Sequence, residues 1–222
     1  MENHFETGIE NLRQQLLVMA SHTEKSIGEA VQALMQRDHD LALRVKADDD
    51  VIDQFEVEID EMAILLLTKA PLASDLRLVT GAMKISQNLE RIGDEASKIA
   101  KRARDLALEP PVKIQLDIPR LTTLSLAMVK AALDSFVQRD PDAARALIPR
   151  DQEVDALNKQ IHQQLAEHMM AHPDTVARCL HWIVAAKSLE RIADHAKNIA
   201  EEVVYLCAAQ DIRHTQKNPP AV

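Results

Sequence analysis

Asn88-Leu89-Glu90-Arg91-Ile92-Gly93-Asp94-Glu95-Ala96-Ser97-Lys98-Ile99-Ala100 is a stretch that returns 100 residues later as Ser188-Leu189-Glu190-Arg191-Ile192-Ala193-Asp194-His195-Ala196-Lys197-Asn198-Ile199-Ala200. The two stretches share eight identities, which are Leu, Glu, Arg, Ile, Asp, Ala, Ile and Ala in that order. A repeat at a fixed offset indicates one structural unit made twice. Each copy carries Glu-x-x-x-Asp, a spacing that places both carboxylates on one face of a helix.

The composition around these stretches predicts an all-helical protein. Of the 222 residues, 46% are hydrophobic and only 2% are aromatic, and four are glycine. Few aromatics and glycines, with many alanine, leucine and charged residues, are typical of helix bundles. The net charge of −9 argues against nucleic-acid binding, which requires a basic surface. A basic protein partner remains compatible with this charge.

The sequence shows no signal for secretion or membrane insertion. Residues 1–6 lack the basic and then apolar pattern of a signal peptide, and no apolar run approaches about 18 residues. If Cys179 and Cys207 lie on one helix, they are about 42 Å apart and cannot form a disulfide. We therefore expect a cytoplasmic protein with free thiols.

Prolines separate six predicted long helices, because a proline begins a helix well and interrupts one badly. Asp40 is the predicted N-cap of the second helix, and Asp140, which precedes Pro141, caps the fifth. Pro149 is expected to kink or divide the fifth helix. The six helices cover about residues 8–37, 41–69, 75–108, 119–139, 141–171 and 174–210.

Matching apolar seams support two tandem three-helix bundles related by the internal repeat. Alternating steps of three and four residues place such a seam along one side of a long helix. The predicted parts are a first bundle over 1–108, a linker over 109–118, a second bundle over 119–210 and a loose tail over 211–222. The seam of the third helix is formed by Leu78, Ala82, Ile85, Leu89, Ile92, Ala96, Ile99, Ala103 and Leu106. The sixth helix repeats it with Trp182, Ala185, Leu189, Ile192, Ala196, Ile199, Val203 and Leu206.

A line of polar side chains runs beside the seam of the second helix and of the fifth. The line in the second helix is Asp49, Asp53, Glu56 and Asp60. The line in the fifth helix is Asp151, Asp155, Asn158 and His162, so the second repeat offers nitrogen as well as oxygen ligands.

These lines predict two metal sites if the second and third helices of each bundle are neighbours. Asp49 and Asp53 would then face Glu90 and Asp94, and in the second repeat Asp151 and Asp155 would face Glu190 and Asp194. Converging carboxylates repel one another unless a cation lies among them. Oxygen ligands suit Mg, Ca and Mn, and carboxylate-rich sites also take Fe or Zn.

Other interpretations of the acids remain open. The acids face water in the simplest alternative, with Arg91 and Arg191 neutralising them locally. Bound metals could also be structural or adventitious. A further alternative is a metal-dependent enzyme of the di-iron carboxylate type, but such sites use Glu-x-x-His pairs, which this sequence lacks. His168 and His172 are a weaker candidate pair, because a cationic pair suits a helix C-terminus. Because there is also no Gly-rich phosphate loop, Cys-x-x-Cys or His-Glu-x-x-His, we predict a protein that is not an enzyme.

Two motifs together resemble the PhoU family, the phosphate-specific transport system accessory proteins of bacteria. They are Ala73-Ser74-Asp75-Leu76-Arg77-Leu78 ahead of a long helix, and Leu89-Glu90-Arg91-Ile92-Gly93-Asp94 within it. Ser188-Leu189-Glu190-Arg191-Ile192-Ala193-Asp194 is similar to the second motif of the family. The resemblance covers roughly residues 5–214 and implies the double three-helix bundle.

The resemblance also implies a function. Family members negatively regulate the phosphate-starvation response and phosphate uptake, coupling the phosphate ABC transporter, through its ATPase subunit, to a membrane sensor histidine kinase. We expect a homodimer that reaches the membrane only through these partners.

The resemblance further implies metal ions at the acidic motifs, with Fe, Zn, Mn, Mg and Ni as candidates. Two departures from the family pattern bear on the second site: Ala193 replaces a glycine, and Asn158 interrupts the acidic line. The implied ligands are Asp49, Asp53, Glu90, Asp94, Asp151, Asp155, Glu190 and Asp194.

Overall fold

The computed structural model describes residues 2–69 and 72–213, and this part of the chain is helical and contains no strand. The all-α prediction is therefore confirmed. Short 3₁₀ turns at Ile148–Arg150 and Pro173–Thr175 precede the last two helices. The helices are α1 (Glu2–Gln36), α2 (His39–Leu67), α3 (Ala73–Ala107), α4 (Ile118–Gln138), α5 (Pro141–Leu147), α6 (Asp151–Ala171) and α7 (Val176–Ala208).

The helix ends agree with the prediction except in two places. α1 begins at Glu2 rather than near Gly8, and Phe5 in the added turns packs against the core. The predicted kink or division of the fifth helix at Pro149 is confirmed, because the 3₁₀ turn that contains Pro149 separates α5 from α6. Proline lacks the N–H that an uninterrupted helix would need there.

The second difference concerns a cap. Asp40 is not the N-cap of α2, because Asp38 Oδ1 accepts the N–H of Leu41 at 2.9 Å. The corresponding prediction for α5 is correct, since Asp140 Oδ1 accepts two N–H groups of the first turn. Each cap satisfies N–H groups that have no partner within the helix.

The helices form two bundles, α1–α3 and α4–α7. All nine predicted seam residues of α3 are buried, and in α7 only Trp182 and Leu206 of the seam are partly exposed. The short α5 and the longer α6 together take the place of the second helix in the second bundle, and both contact α7. The double-bundle prediction is thus confirmed.

α3 and α7 also pack against each other, which joins the two bundles through one continuous apolar core. Lys84 pairs with Glu202 at one end of this contact, and Arg102 contacts His181 at the other. Because the α7 partner numbers fall as the α3 numbers rise, the two helices run antiparallel.

Residues 109–117 connect the bundles without regular structure. Val112, Ile114 and Leu116 pack against the core, while the residues between them are exposed, so the connection is an extended strap. Arg178 Nη1 donates to the carbonyl of Pro110 at 3.2 Å. This part of the predicted linker is held in place by both packing and hydrogen bonding.

The end of the chain is described only in part. Residues 214–222 of the predicted loose tail lie outside the described residues. Arg213 pairs with Glu202 of α7 at 3.2 Å, so the tail is anchored at its start. Cys179 and Cys207 are both free and both lie on α7, as predicted. Over the described residues, no helix combines the length and apolar character needed to cross a membrane.

Candidate functional site

Gly93 is the point of close approach between α2 and α3. A Cβ on Gly93 would lie 2.9 Å from Ile52 Cδ1 and 3.5 Å from Asp49 Oδ1. The small residue therefore allows the two helices to bring their acids together. We call Asp49, Asp53, Glu90 and Asp94 the first acidic face.

Burial and mutual repulsion disfavour negative charge on the first acidic face. Burial raises the pKa of Glu90 to about 6, Asp94 adds to the shift, and Arg91 opposes it. The pKa of Asp53 is raised by burial and by Asp94. Burial also raises the pKa of Asp49, an effect that the nearby Ser97 hydroxyl opposes and Asp53 strengthens. The predicted convergence of α2 and α3 acids is thus present.

Arg91 is the cation closest to the first acidic face. Its Nη1 lies 3.4 Å from Asp94 Oδ2, and its Nε lies 3.3 Å from Glu90 Oε2. The contact with Glu90 is not aligned as a hydrogen bond, which leaves Glu90 Oε2 buried without a hydrogen-bond donor. The Arg91 side chain is 54% exposed, so water screens its charge.

The second acidic face, formed by Asp151, Asp155, Glu190 and Asp194, is deeper and better neutralised. Lys197 Nζ donates to Asp151 Oδ2 at 2.8 Å. Lys187 Nζ donates to Glu190 Oε1 at 2.5 Å. Burial and the charge of Glu190 nevertheless raise the pKa of Asp194 to about 6. The pKa of Asp155 is raised by burial and by Asp151.

Both faces carry atoms that can act as ligands of a cation. Glu90 Oε2, Asp151 Oδ1 and Glu190 Oε2 are buried oxygen atoms without a hydrogen-bond partner. Asn158 Oδ1 and His162 Nε2, beside the second face, are in the same condition. Buried oxygens without donors are suited to metal coordination.

The side chains are not assembled around an ion position. Within residues 2–69 and 72–213, no three His, Cys, Asp or Glu side chains are placed to hold one metal ion. Coordination would therefore require carboxylates to rotate toward one another. The rings of His168 and His172 contact each other at the end of α6, tilted by 46° with centroids 4.6 Å apart, and no third ligand among the described residues joins them.

A row of polar contacts joins α3 to α7, and the sequence pattern did not predict it. Its centre is Glu95, which is 4% exposed and lies 2.9 Å from Lys98 Nζ and 3.4 Å from Arg191 Nη1. Further along, His195 Nδ1 and Asn88 Oδ1 are 3.0 Å apart. The predicted neutralisation of the acids by a neighbouring arginine is therefore found for Arg91, which contacts Glu90 and Asp94. Arg191 instead contacts Glu95 of the other bundle.

A second set of buried residues, spaced seven positions apart, indicates that α3 and α7 are each packed on more than one side. This pattern was visible in the sequence, because a wider apolar stripe is expected of a more deeply buried helix. The residues are Val79, Ser86, Gly93 and Ala100 on α3, and Cys179, Ala186, Ala193 and Ala200 on α7.

A family model for the PhoU domain matches residues 16–103 and 118–203, one match in each bundle. The chain belongs to the PhoU family. The two PhoU domains account for the internal repeat, and their motif helices α3 and α7 are the pair that joins the bundles. The family resemblance of the two sequence motifs is thereby confirmed.

Proteins named as PhoU match nearly the whole chain. The phosphate-specific transport system accessory protein PhoU homolog of Pseudomonas aeruginosa is 40% identical over 216 residues, which are 96% of this chain and 89% of that protein. The accessory protein PhoU of Escherichia coli K12 is 34% identical over 215 residues, again 96% of this chain and 89% of that protein.

Solved PhoU structures share the fold. The crystal structure of PhoU from Pseudomonas aeruginosa has a TM-score of 0.89 at 40% identity, covering 93% of this chain and all of that one. The phosphate transport system regulatory protein PhoU from Streptococcus pneumoniae has a TM-score of 0.87 at 25% identity, covering 94% of this chain and 99% of that one.

Proposed function

We propose that this protein is a non-enzymatic adaptor of a phosphate-specific transport system. It restrains phosphate uptake and the phosphate-starvation response by coupling the ATPase subunit of a phosphate ABC transporter to a membrane sensor histidine kinase. It acts in the cytoplasm as a homodimer and reaches the membrane only through these partners.

The observation that carries this proposal is the extent of the similarity to named accessory proteins. Relatives called phosphate-specific transport system accessory proteins match 96% of the chain, including both PhoU domains. The S. pneumoniae protein is named as a regulator of phosphate transport. A role that depends on both bundles agrees with their shared core along α3 and α7.

We further propose that metal ions bind at the two acidic faces. The raised pKa values of Glu90 and Asp194 support this, because they show that burial, and then repulsion from Asp94 and Glu190 respectively, disfavours the ionised carboxylates. A bound cation would relieve that repulsion and favour the ionised carboxylates. All-oxygen ligands at the first face favour Mg or Mn, while His162 beside the second face adds a ligand that Fe, Zn and Ni accept.

Nothing in the geometry favours the di-iron enzyme. Such enzymes carry their ligands inside the bundle. The interior of α3 and α7 is instead apolar along both seams, and the acids lie on the flanks of the helices.

The regulatory role is tested by deleting the gene and following a phosphate-starvation promoter at high phosphate. We expect the promoter to be active in the deletion strain and silent again when the wild-type chain is restored. A promoter that stays silent in the deletion strain would contradict the proposal. Capture of the tagged chain from membranes at high phosphate should recover the transporter ATPase and the kinase, and recovery of neither would contradict the partner assignment.

The metal proposal is tested separately with Glu90→Ala combined with Asp94→Ala, and with the corresponding Glu190→Ala and Asp194→Ala pair. Elemental analysis of untagged protein should show a lower metal content for each pair. Glu61→Ala, which removes an exposed acid of α2 outside the first acidic face, is the control. Equal metal content in all variants would exclude both faces as metal sites. Light scattering of the wild-type chain tests the dimer.

A further inference from the structure

A half-open cavity of about 310 Å³ lies where the start of α3 meets the ends of α4 and α7. It shares no residue with either acidic face. Its wall carries two cations, Arg77 and Arg139, one acid, Asp75, and one hydroxyl, Ser74. Leu78, Leu206 and Cys207 complete the lining.

The acid in this wall is already engaged. Asp75 Oδ2 accepts the backbone N–H of Leu72 at 3.2 Å and so caps α3. Neither arginine forms an ion pair with it or with another acid among the described residues. Arg77 Nε is buried without a hydrogen-bond partner. The cavity wall therefore carries two positive charges that no acid of the described residues neutralises through an ion pair.

The internal repeat gives Arg139 a counterpart in the first bundle, Arg37. Gln36-Arg37-Asp38-His39-Asp40 and Gln138-Arg139-Asp140-Pro141-Asp142 share Gln-Arg-Asp-x-Asp 102 residues apart. Both arginines have left-handed backbones, with φ of 58° and 52°. The aspartate that follows each arginine is an N-cap: Asp38 caps α2, and Asp140 caps α5. The two sites therefore have the same local structure.

Their guanidinium groups differ in what they contact. Arg37 Nη2 donates to the carbonyl of Leu106 at 2.7 Å and to that of Glu109, so it closes the C-terminus of α3. Arg139 makes no corresponding side-chain hydrogen bond at the end of α7 and instead lines the cavity with Cys207. Arg139 thus occupies a left-handed backbone conformation that glycine adopts at lower cost.

We propose that this cavity binds a phosphate-class oxyanion between Arg77 and Arg139. A guanidinium offers parallel N–H groups that match two oxygens of a phosphate, and two guanidinium groups match its double negative charge. The Ser74 hydroxyl supplies a further donor. The phosphate group belongs either to inorganic phosphate or to a nucleotide. The inference does not depend on the proposed adaptor role.

Cys207 provides a reporter inside the cavity, and Cys179, which is fully buried, is an internal reference. The rate of Cys207 alkylation by iodoacetamide is followed by mass spectrometry in sodium phosphate, and in sodium chloride at the same ionic strength. We expect phosphate to slow the reaction at least threefold and in a saturable way. AMP and ATP are tested in parallel, and protection by a nucleotide alone would assign the site to nucleotide phosphate.

The variant Arg139→Gly removes the cation and suits the left-handed backbone, so it should fold normally. Burial raises the pKa of the Cys207 thiol and Arg139 opposes this, so protection is compared as the ratio of rates with and without phosphate within each variant. We expect Arg139→Gly to lose the protection. Arg37→Gly, the matched change in the first repeat, should keep it.

A second variant, Arg77→Gln, should also lose the protection, because it removes the other cation. The proposal is overturned if neither phosphate nor a nucleotide protects Cys207 saturably. Equal protection in wild-type protein, Arg139→Gly and Arg77→Gln would overturn it as well.

Discussion

Arg191 of the second PhoU domain lies with its Nη1 3.4 Å from Oε1 of Glu95 in the first domain. The two copies of the repeated motif therefore meet in space, where α3 packs against α7. Arg191 follows Glu190 in sequence but is directed away from the second acidic face. Lys187 and Lys197 act as the cations of that face instead.

Glu95 should contribute more to stability than an exposed acid. Its carboxylate is buried and contacts Lys98 and Arg191, so Glu95→Ala should lower the free energy of unfolding by about 2 kcal/mol. Urea denaturation at pH 7 measures the change. Glu61→Ala should change stability by less than about 0.5 kcal/mol. Similar losses in the two variants would show that the contact between the motifs is not stabilising.

The contribution of Glu95 should also depend on pH. Burial opposes ionisation, but the cations Lys98 and Arg191 and the nearby Ser188 hydroxyl outweigh it and lower the pKa of Glu95. The stabilisation is then present above the pKa of the unfolded chain and is lost as the pH falls through the lower folded value. The difference in stability between wild type and Glu95→Ala should shrink below about pH 4.

Gly93→Ala and Ala193→Gly should both destabilise the protein, but for different physical reasons. In Gly93→Ala the new Cβ would overlap Ile52 Cδ1, so the gain in helix propensity of about 1 kcal/mol should be outweighed and stability should fall by about 1 kcal/mol. Ala193→Gly should also cost about 1 kcal/mol, because it only loses propensity and packing. Urea midpoints measure both changes. A stabilised Gly93→Ala would mean that α2 and α3 are not in close contact there.

Glu90 and Asp194 should make the metal-free protein more stable as the pH falls from 7 to 5. Each carboxyl has a folded pKa of about 6, above its value in the unfolded chain. The folded state therefore binds more protons in this range, and stability rises as the pH decreases. Melting temperatures in EDTA between pH 5 and 8 measure the trend. Glu90→Gln combined with Asp194→Asn should flatten it, and an unchanged slope would contradict these assignments.

Lys197 should weaken cation binding at the second acidic face, because its ammonium group already neutralises Asp151 at 2.8 Å. Lys197→Ala should tighten binding of Mn²⁺ about threefold to tenfold, as expected for removing a nearby positive charge. Calorimetry in the Glu90→Ala and Asp94→Ala background isolates the second face. Lys159→Ala, which removes an exposed cation of α6, controls for net charge. Equal effects of the two substitutions would indicate a long-range charge effect only.

Much of the fold was predictable from residues close together in the chain. The nine seam residues of α3 are buried as their spacing predicts, and Asp140 caps α5 in the way that its place before Pro141 suggests. Asp38 rather than Asp40 caps α2, although both residues have the right chemistry. The choice between neighbouring caps depends on where the preceding helix ends, which a local pattern locates only within one or two residues.

The candidate site was predictable in its acids, but of its cations only Arg91 was predicted correctly. The position of each acid beside a seam follows from helix geometry alone. The contacts of Arg191 with Glu95 and of Lys84 with Glu202 depend on how α3 and α7 cross, and they join residues 96 and 118 positions apart in sequence. Arg37 and Arg139 show the same limit, since one sequence motif and one backbone conformation lead to different contacts.

The sequence by itself determined the helices, the repeat, the apolar seams and the lines of acids, because helical periodicity acts over one or two turns. Only the tertiary structure decided that α3 and α7 join the bundles, that Arg191 crosses to Glu95, and that Lys197 rather than arginine neutralises Asp151. These features depend on distances between helices remote in the chain, where ion pairs a few ångströms apart are set by packing.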